Sequence, residues 1–167
     1  MIEIAGDEAA LARIGGADIT ALTEAATGSS FYAEGLTPEQ IAANRRVVEI
    51  SAPTALAAAA NAHQHFAAAF VSGDFAGYVI ATVHTESERE LDWLMVRPDF
   101  HGSGVAAQLM ARGMDWLGRD RPIWLNVLRH NARAIPFYER FGFAIDPEAV
   151  TGHAIPHWVM RYRPDGA

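Results

Sequence analysis

The chain has 167 residues, half of them hydrophobic and 20% charged, the balance of a globular protein able to bury a core around one sheet without disulfide staples. It contains no cysteine, which excludes disulfide scaffolds, thiolate-ligated zinc and thiol catalysis and suits a reducing cytoplasm. The net charge is -7 and all 13 basic residues are arginine, so binding to nucleic acid or to an anionic membrane is not expected and a cationic small molecule is favoured. No basic segment leads into an apolar one at the start. No apolar run reaches the roughly 18 residues of a membrane span, because Asn61, His63 and Gln64 interrupt the alanine-rich stretch at Ala55 to Ala60. A single soluble domain over 1–167 is expected.

In chain order, Asp7 to Ile14 reads as a short helix closed by Gly15 and Gly16, and a second helical stretch covers about Asp18 to Thr27. Thr37-Pro38-Glu39-Gln40 opens a third: Thr37 can cap, Pro38 suits the first turn, and Gln40 completes a capping box. That helix is expected to end near Ile50, with Pro53 opening another turn or two. From His65 the pattern changes to a three-strand meander over Phe66 to Val71, Gly77 to His84 and Glu90 to Val96. A glycine-containing loop, Pro98 to Gly104, leads into a helix from Val105 to Leu117 with one apolar stripe. A strand at Ile123 to Leu128, a short helix at Asn131 to Phe141, and strands at Phe143 to Ile145 and His157 to Tyr162 complete the pattern.

The segment from Leu94 to Ala106 joins a strand to a helix through Gly102, Ser103 and Gly104, small residues that leave backbone N–H groups accessible at a positively polarised helix start. A pyrophosphate fits such a loop; a plain strand-to-helix turn fits it as well. A kinase-type phosphate loop is excluded because no lysine follows the last glycine, and a dinucleotide fingerprint because Gln108 to Ala111 lack its third glycine. With His101, Gly104 and Ala106 in register, the segment resembles the Gln/Arg-x-x-Gly-x-Gly/Ala signature of the acetyl-CoA-dependent N-acetyltransferase superfamily GNAT. The stretch Leu125 to Phe143, with Asn131 ahead of its helix and the ending Phe137-Tyr138-Glu139-Arg140-Phe141-Gly142-Phe143, is similar to the same family's downstream block.

The resemblance implies a mixed α/β (α+β) fold, a GNAT-like sheet of six to seven strands flanked by helices, with a V-shaped splay between the strands Glu90–Val96 and Ile123–Leu128. It implies acetyl-CoA as co-substrate, with the backbone of Leu94 and Val96 pairing with the pantetheine arm and Gly102, Ser103, Gly104, Val105 and Ala106 supplying N–H groups to the pyrophosphate. Asn131, Phe137 and Tyr138 join the cofactor-binding set, Asn131 also as a helix cap. His101 stands where the family has Gln or Arg; an imidazole keeps a donor and loses a permanent charge, so weaker or pH-dependent CoA affinity is expected.

Acetyl transfer needs a neutral amine, a donor for the oxyanion and an acid for the departing thiolate. The resemblance assigns the acid to Tyr138, a ring that would otherwise be core beside Phe137 and Phe141. Glu90 and Asp92 lie two apart on one strand and are expected to share a face with Leu94 and Val96; either could be the base, and either could be structural. Some family members place a Glu in the next strand, where this chain has Asn126. Phe31, Tyr32 and Glu34 fall where the family's acceptor pocket commonly has a wall, an aromatic and carboxylate pairing that suits an amine; an ordinary aromatic loop anchor fits them equally well. No metal is expected, since His63 and His65 lack an acidic or third histidine partner in sequence and His153 and His157 read as surface residues. The expected partner is a small-molecule or peptide amine, with a homodimer left open. Two other readings stand beside this cytoplasmic N-acetyltransferase: a CoA-binding sensor without turnover, and a toxin acetylating aminoacyl-tRNA, against which the acidic balance counts.

Overall fold

In the computed structural model, which describes residues 1–31 and 34–165, one seven-stranded sheet carries the molecule. Its strands are β1 (Ile2–Gly6), β2 (Gln64–Val71), β3 (Asp74–Val83), β4 (Arg89–Val96), β5 (Ile123–Leu128), β6 (Phe143–Asp146) and β7 (His157–Tyr162), in the order β1-β2-β3-β4-β5-β7-β6. Neighbours are antiparallel except β4 and β5, which run parallel. Helices α1 (Asp7–Leu11), α2 (Gly16–Phe31) and α3 (Pro38–Ala59) cover one face; α4 (Val105–Leu117) packs on the other, and α5 (Ala134–Glu139) follows β5. The expected mixed fold is therefore present, with seven strands. Among the described residues no helix is long and apolar enough to cross a membrane.

The two cores follow from strand alternation. Val79, Ala81, Leu91 and Val96 meet the fully buried α4 stripe of Val105, Leu109, Met110, Met114 and Leu117, each side chain worth roughly 1.5–3 kcal/mol on burial. Phe66, Ala68, Tyr78 and Ile80 point the other way, against Ile19, Leu22, Ala55 and Ala58. There the Tyr78 hydroxyl donates to Thr23 Oγ1 at 2.7 Å, because Thr23 spends its own proton on the Ile19 carbonyl at 2.8 Å.

Several sequence expectations are corrected. Strand β1 was not expected; its five residues pair with β2 from Ile2↔Val71 to Gly6↔Ala67, a partner the local pattern does not reveal. Helix α3 runs unbroken through Pro53, which is exposed, because Ala52, Ala55 and Ala58 pack on the core and outweigh the lost backbone bond. Its capping box is as expected: Gln40 N–H donates to Thr37 Oγ1 at 3.2 Å and Thr37 N–H to Gln40 Oε1 at 3.0 Å. Helices α1 and α5 are shorter than the pattern suggests, α2 is longer, and β3 stops at Val83, leaving His84 in the turn to β4.

The correction that matters most lies in β4. Ile80 pairs with Trp93 and Ala81 with Leu91, so the register skips Asp92 and the strand carries a bulge. The bulge breaks the alternation: Leu91, Leu94 and Val96 belong to the α4 core, Trp93 and Met95 to the opposite one, and Asp92 meets Thr82 at 3.3 Å. Glu90 and Asp92 therefore do not share a face with Leu94 and Val96, contrary to the period-2 expectation. Beyond the bulge, β3 and β4 close tightly over Gly77, where an added Cβ would sit 2.6 Å from the Met95 carbonyl oxygen. Gly77→Ala is expected to destabilise the fold by about 1–3 kcal/mol in urea unfolding, as overpacking does; an unchanged midpoint would show that the two strands have room to part.

Candidate active site

Strands β4 and β5 meet in one register pair, Glu90↔Trp124, and then separate, so the expected splay opens toward Val96 and Leu128. Arg97 N–H donates to the Ala76 carbonyl at 2.9 Å, toward β3. Alternation along the strand then turns the backbone groups of Met95 toward β3 and those of Leu94 and Val96 into the opening, where no strand pairs with them. A polar backbone edge lines the cleft from the β4 side.

At the open end, a 3-10 turn over Pro98–Phe100 and an exposed loop lead into α4. Gly102 and Gly104 have φ of 78° and 91°, left-handed values that glycine adopts without strain. Two of the expected donors are taken within the loop, Ser103 N–H by the Phe100 carbonyl at 3.2 Å and Val105 N–H by Ser103 Oγ at 3.4 Å, but among the described residues no protein acceptor takes the N–H groups of Gly102, Gly104, Ala106 or Ala107. These free donors sit at the positively polarised start of a 13-residue helix, where an anion could accept them. Asn131 Oδ1 accepts the Ala134 N–H at 3.2 Å, capping the turn into α5 as expected. That turn places Arg133 against the loop, where its Nη1 donates to His101 Nδ1 at 3.2 Å. A guanidinium can only donate, so the His101 ring accepts at Nδ1 and keeps Nε2–H for a ligand. Arg133 also restores beside the loop the permanent charge that His101 lacks.

The closed end is carboxylate-rich. Glu90 is buried, and His84 Nε2–H donates to its Oε2 at 2.6 Å. Burial first, then the charge of Asp92, push Glu90 up to about 7 from its ordinary 4.5, while the His84 hydrogen bond and charge oppose the rise. Asp92 is reached by solvent yet has enough protein around it that desolvation raises it too, against the pull of Thr82 and His84. Gln64 Nε2 donates to Thr82 Oγ1 at 3.1 Å, which directs the Thr82 proton to Asp92. A cavity of about 200 Å³, bounded by Ser87, Glu88, Arg161 and Arg163 among others, opens against Trp124.

Tyr138 is half-buried against the α4-side core, edge-on to Phe137 at 5.4 Å and to Phe143 at 6.4 Å. Its hydroxyl bonds to no other described residue, and burial pushes it up to about 12, so it is a protonated donor at neutral pH. Of the residues expected at an acceptor wall, Tyr32 lies outside the described residues, Phe31 ends α2, and Glu34 is exposed in the turn before α3. Buried His65 donates Nδ1–H to Asp7 at 2.9 Å and accepts from Arg112 Nε at 3.1 Å, a structural network; His153 and His157 lie with ring centroids 4.2 Å apart. Among the described residues no group of three or more histidine, aspartate or glutamate side chains could hold a metal. Sequence reasoning missed His84, Trp124 and Arg133; Trp124 neighbours Glu90 only through strand register, His84 reaches it only through the turn from β3, and Arg133 needs the loop and α5 to meet in space.

The model of the "Acetyltransferase (GNAT) family" matches residues 30–143. The chain belongs to the GNAT acetyltransferase family. An uncharacterized N-acetyltransferase of Mycobacterium tuberculosis is 38% identical over 78 residues, 44% of this chain and 49% of that protein, so the chain spans about half the length of the curated relatives it matches. Among solved structures, PaiA N-acetyltransferase of Thermoplasma acidophilum in complex with coenzyme A superposes over 98% of this chain and 99% of that one, with a TM-score of 0.72 at 20% identity. The ribosomal-protein-S18-alanine N-acetyltransferase of Escherichia coli covers 97% and 93%, with a TM-score of 0.64 at 19% identity. At these identities the likeness is one of fold, and it extends the GNAT architecture over nearly the whole chain.

The raised carboxyl has a measurable consequence for this GNAT protein. The folded state holds a proton on Glu90 that the unfolded chain releases near 4.5, so Glu90 favours folding fully below that value and loses the contribution as pH rises through about 7. The thermal midpoint of the wild type is expected to fall more between pH 5 and pH 8 than that of Glu90→Gln. Equal slopes in the two proteins would show that Glu90 titrates as an ordinary carboxylate.

Proposed function

We propose that the chain transfers acetyl from acetyl-CoA to a primary amine of a small molecule or peptide by direct attack, with Glu90 accepting the amine proton and Tyr138 protonating the leaving sulfur. The observation that carries this reading is the parting of β4 from β5 immediately after the Glu90↔Trp124 pair, which leaves a basic carboxylate at the closed end of a cleft edged by unpaired backbone. The residues present fit acetyl-CoA. The unpaired groups of Leu94 and Val96 match the amides of a pantetheine arm, and the free N–H groups of Gly102, Gly104, Ala106 and Ala107, with Arg133 and His101, match a pyrophosphate. When bound, acetyl-CoA supplies the acetyl thioester.

Each side chain then has a defined task. Glu90, held near 7, is ionised in much of the population at neutral pH and still basic enough to take a proton from an ammonium. Asp92 raises Glu90 and adds negative charge that draws a cationic amine to the cleft. Tyr138 keeps its proton until a thiolate develops, and Phe137 and Phe143 hold its ring. The cavity against Trp124, bounded by Ser87, Glu88, Arg161 and Arg163 among others, gives the amine a polar approach. A reducing cytoplasm suits the cysteine-free chain.

An acetylation screen of amines, amino acids, antibiotics and peptides, read by free CoA release, tests the reading; saturable CoA binding with no acceptor in any class would favour the sensor alternative. Acetyl-CoA at 100 times its Kd is expected to stabilise the fold by about 2.7 kcal/mol. Gly104→Glu, with a carboxylate at the loop, and Arg133→Ala should each weaken that stabilisation; unchanged shifts in both folded variants would remove the phosphate assignment. Tyr138→Phe is expected to lower kcat by about 10- to 1,000-fold with little change in acetyl-CoA affinity, and wild-type turnover would refute its acid role.

A further inference from the structure

We propose that His84 is a positioning residue for the reaction: it holds Glu90 ionised and aimed by donating Nε2–H to Glu90 Oε2 from the solvent side of the cleft, with Trp124 backing the imidazole. The proposal rests on the reading of Glu90 as proton acceptor and names what makes that carboxylate usable.

The geometry is built by the turn between β3 and β4. Strand β3 ends at Val83, and His84 N–H donates to the Glu88 carbonyl at 2.8 Å, which folds the turn back and hangs the imidazole over the start of β4. The His84 side chain is 45% exposed and that of Glu90 only 9%, so the pair spans the boundary between solvent and the closed end. The Trp124 ring lies nearly parallel to the imidazole, 18° apart with centroids separated by 6.0 Å. Among the described residues Trp124 Nε1 is the buried side-chain polar atom without a partner, so the indole is placed here for its face and not for its N–H.

The surrounding charges show why a donor is needed. Asp92 faces Glu90 from the same strand and opposes its ionisation, as burial does; His84 is the group that favours it. Trp124 on β5 is uncharged, Arg161 beside it in the β7 register is taken by Asp146 at 2.8 Å, and Arg89 turns away to the Leu117 carbonyl. No charge on α2 or α3 acts on Glu90 among the described residues. An imidazole also suits the task better than a guanidinium. A guanidinium at 2.6 Å would hold the carboxylate ionised with a permanent charge and leave it a poor base, whereas an imidazole offers the same N–H donor without a permanent charge.

The test is a titration of Glu90 by carboxyl carbon NMR in the intact protein, its signal assigned by loss in Glu90→Gln. The wild-type midpoint is expected near 7. His84→Phe, which keeps a ring on Trp124 and removes the donor, should raise the midpoint by a pH unit or more. His84→Gln, which keeps a neutral N–H, should fall between the two. An unchanged or lowered midpoint in His84→Phe overturns the proposal; if that variant does not fold, an unchanged midpoint in His84→Gln does so. The titration needs no acceptor, so it is separate from the base reading, which is lost if Glu90→Gln acetylates the amine found in the screen at the wild-type rate.

Discussion

Two parallel strands that touch at one residue pair set the terms for the rest of the molecule. A parallel pair needs a crossover, and here the crossover is the loop from Arg97 to Gly104 followed by α4. The polarity of β4 sends that loop out at the end where the strands have separated. The helix N-terminus, with its unpaired amides, is thereby delivered to the mouth of the cleft, and the turn into α5 after β5 reaches the same mouth, where Arg133 meets His101. One topological choice thus gathers an anion-binding loop, an unpaired backbone edge and a carboxylate into a single trough.

The closed end of that trough opposes the preferences of the fold. A glutamate side chain is taken out of water beside a second carboxylate, and the strand is kinked by a bulge to place them. The α4 layer offsets this with closely packed hydrocarbon: Gly113 lets the helix approach so near that an added Cβ would lie 2.7 Å from Leu91 Cδ1. Leu91 lies between Glu90 and Asp92 in sequence and points to the opposite face, so the residue anchoring the core also fixes the two carboxylates.

Local chemistry made much of this legible. The capping box at Thr37, the α4 stripe, the glycines ahead of α4 and the aromatic ending around Tyr138 are all written in adjacent residues; the structure forms the capping box and buries the α4 stripe as those patterns imply. What could not be read depends on register or on distant partners. A bulge has no signature in a period-2 pattern, so the face of Asp92 came out wrong. The His84 contact with Glu90 needs the length of the intervening turn, and Arg133 reaches His101 across 32 residues of chain. Strand β1 exists because β2 offers it an edge, and α3 passes through Pro53 because its alanines are held from outside the helix.

The composition of the cations at the mouth has a consequence of its own. The charge beside the glycine loop is the guanidinium of Arg133, and the 13 basic residues of the chain include no lysine at all. A lysine there would attract phosphate equally well, but it would also hold an aliphatic amine, the chemical class of the proposed acceptor, within reach of an activated acyl group. A guanidinium keeps its proton at any physiological pH and is no competitor as a nucleophile. The mouth of the cleft can therefore carry a positive charge without carrying a target for the proposed chemistry, and a chain free of ε-amino groups is closed to self-modification at lysine.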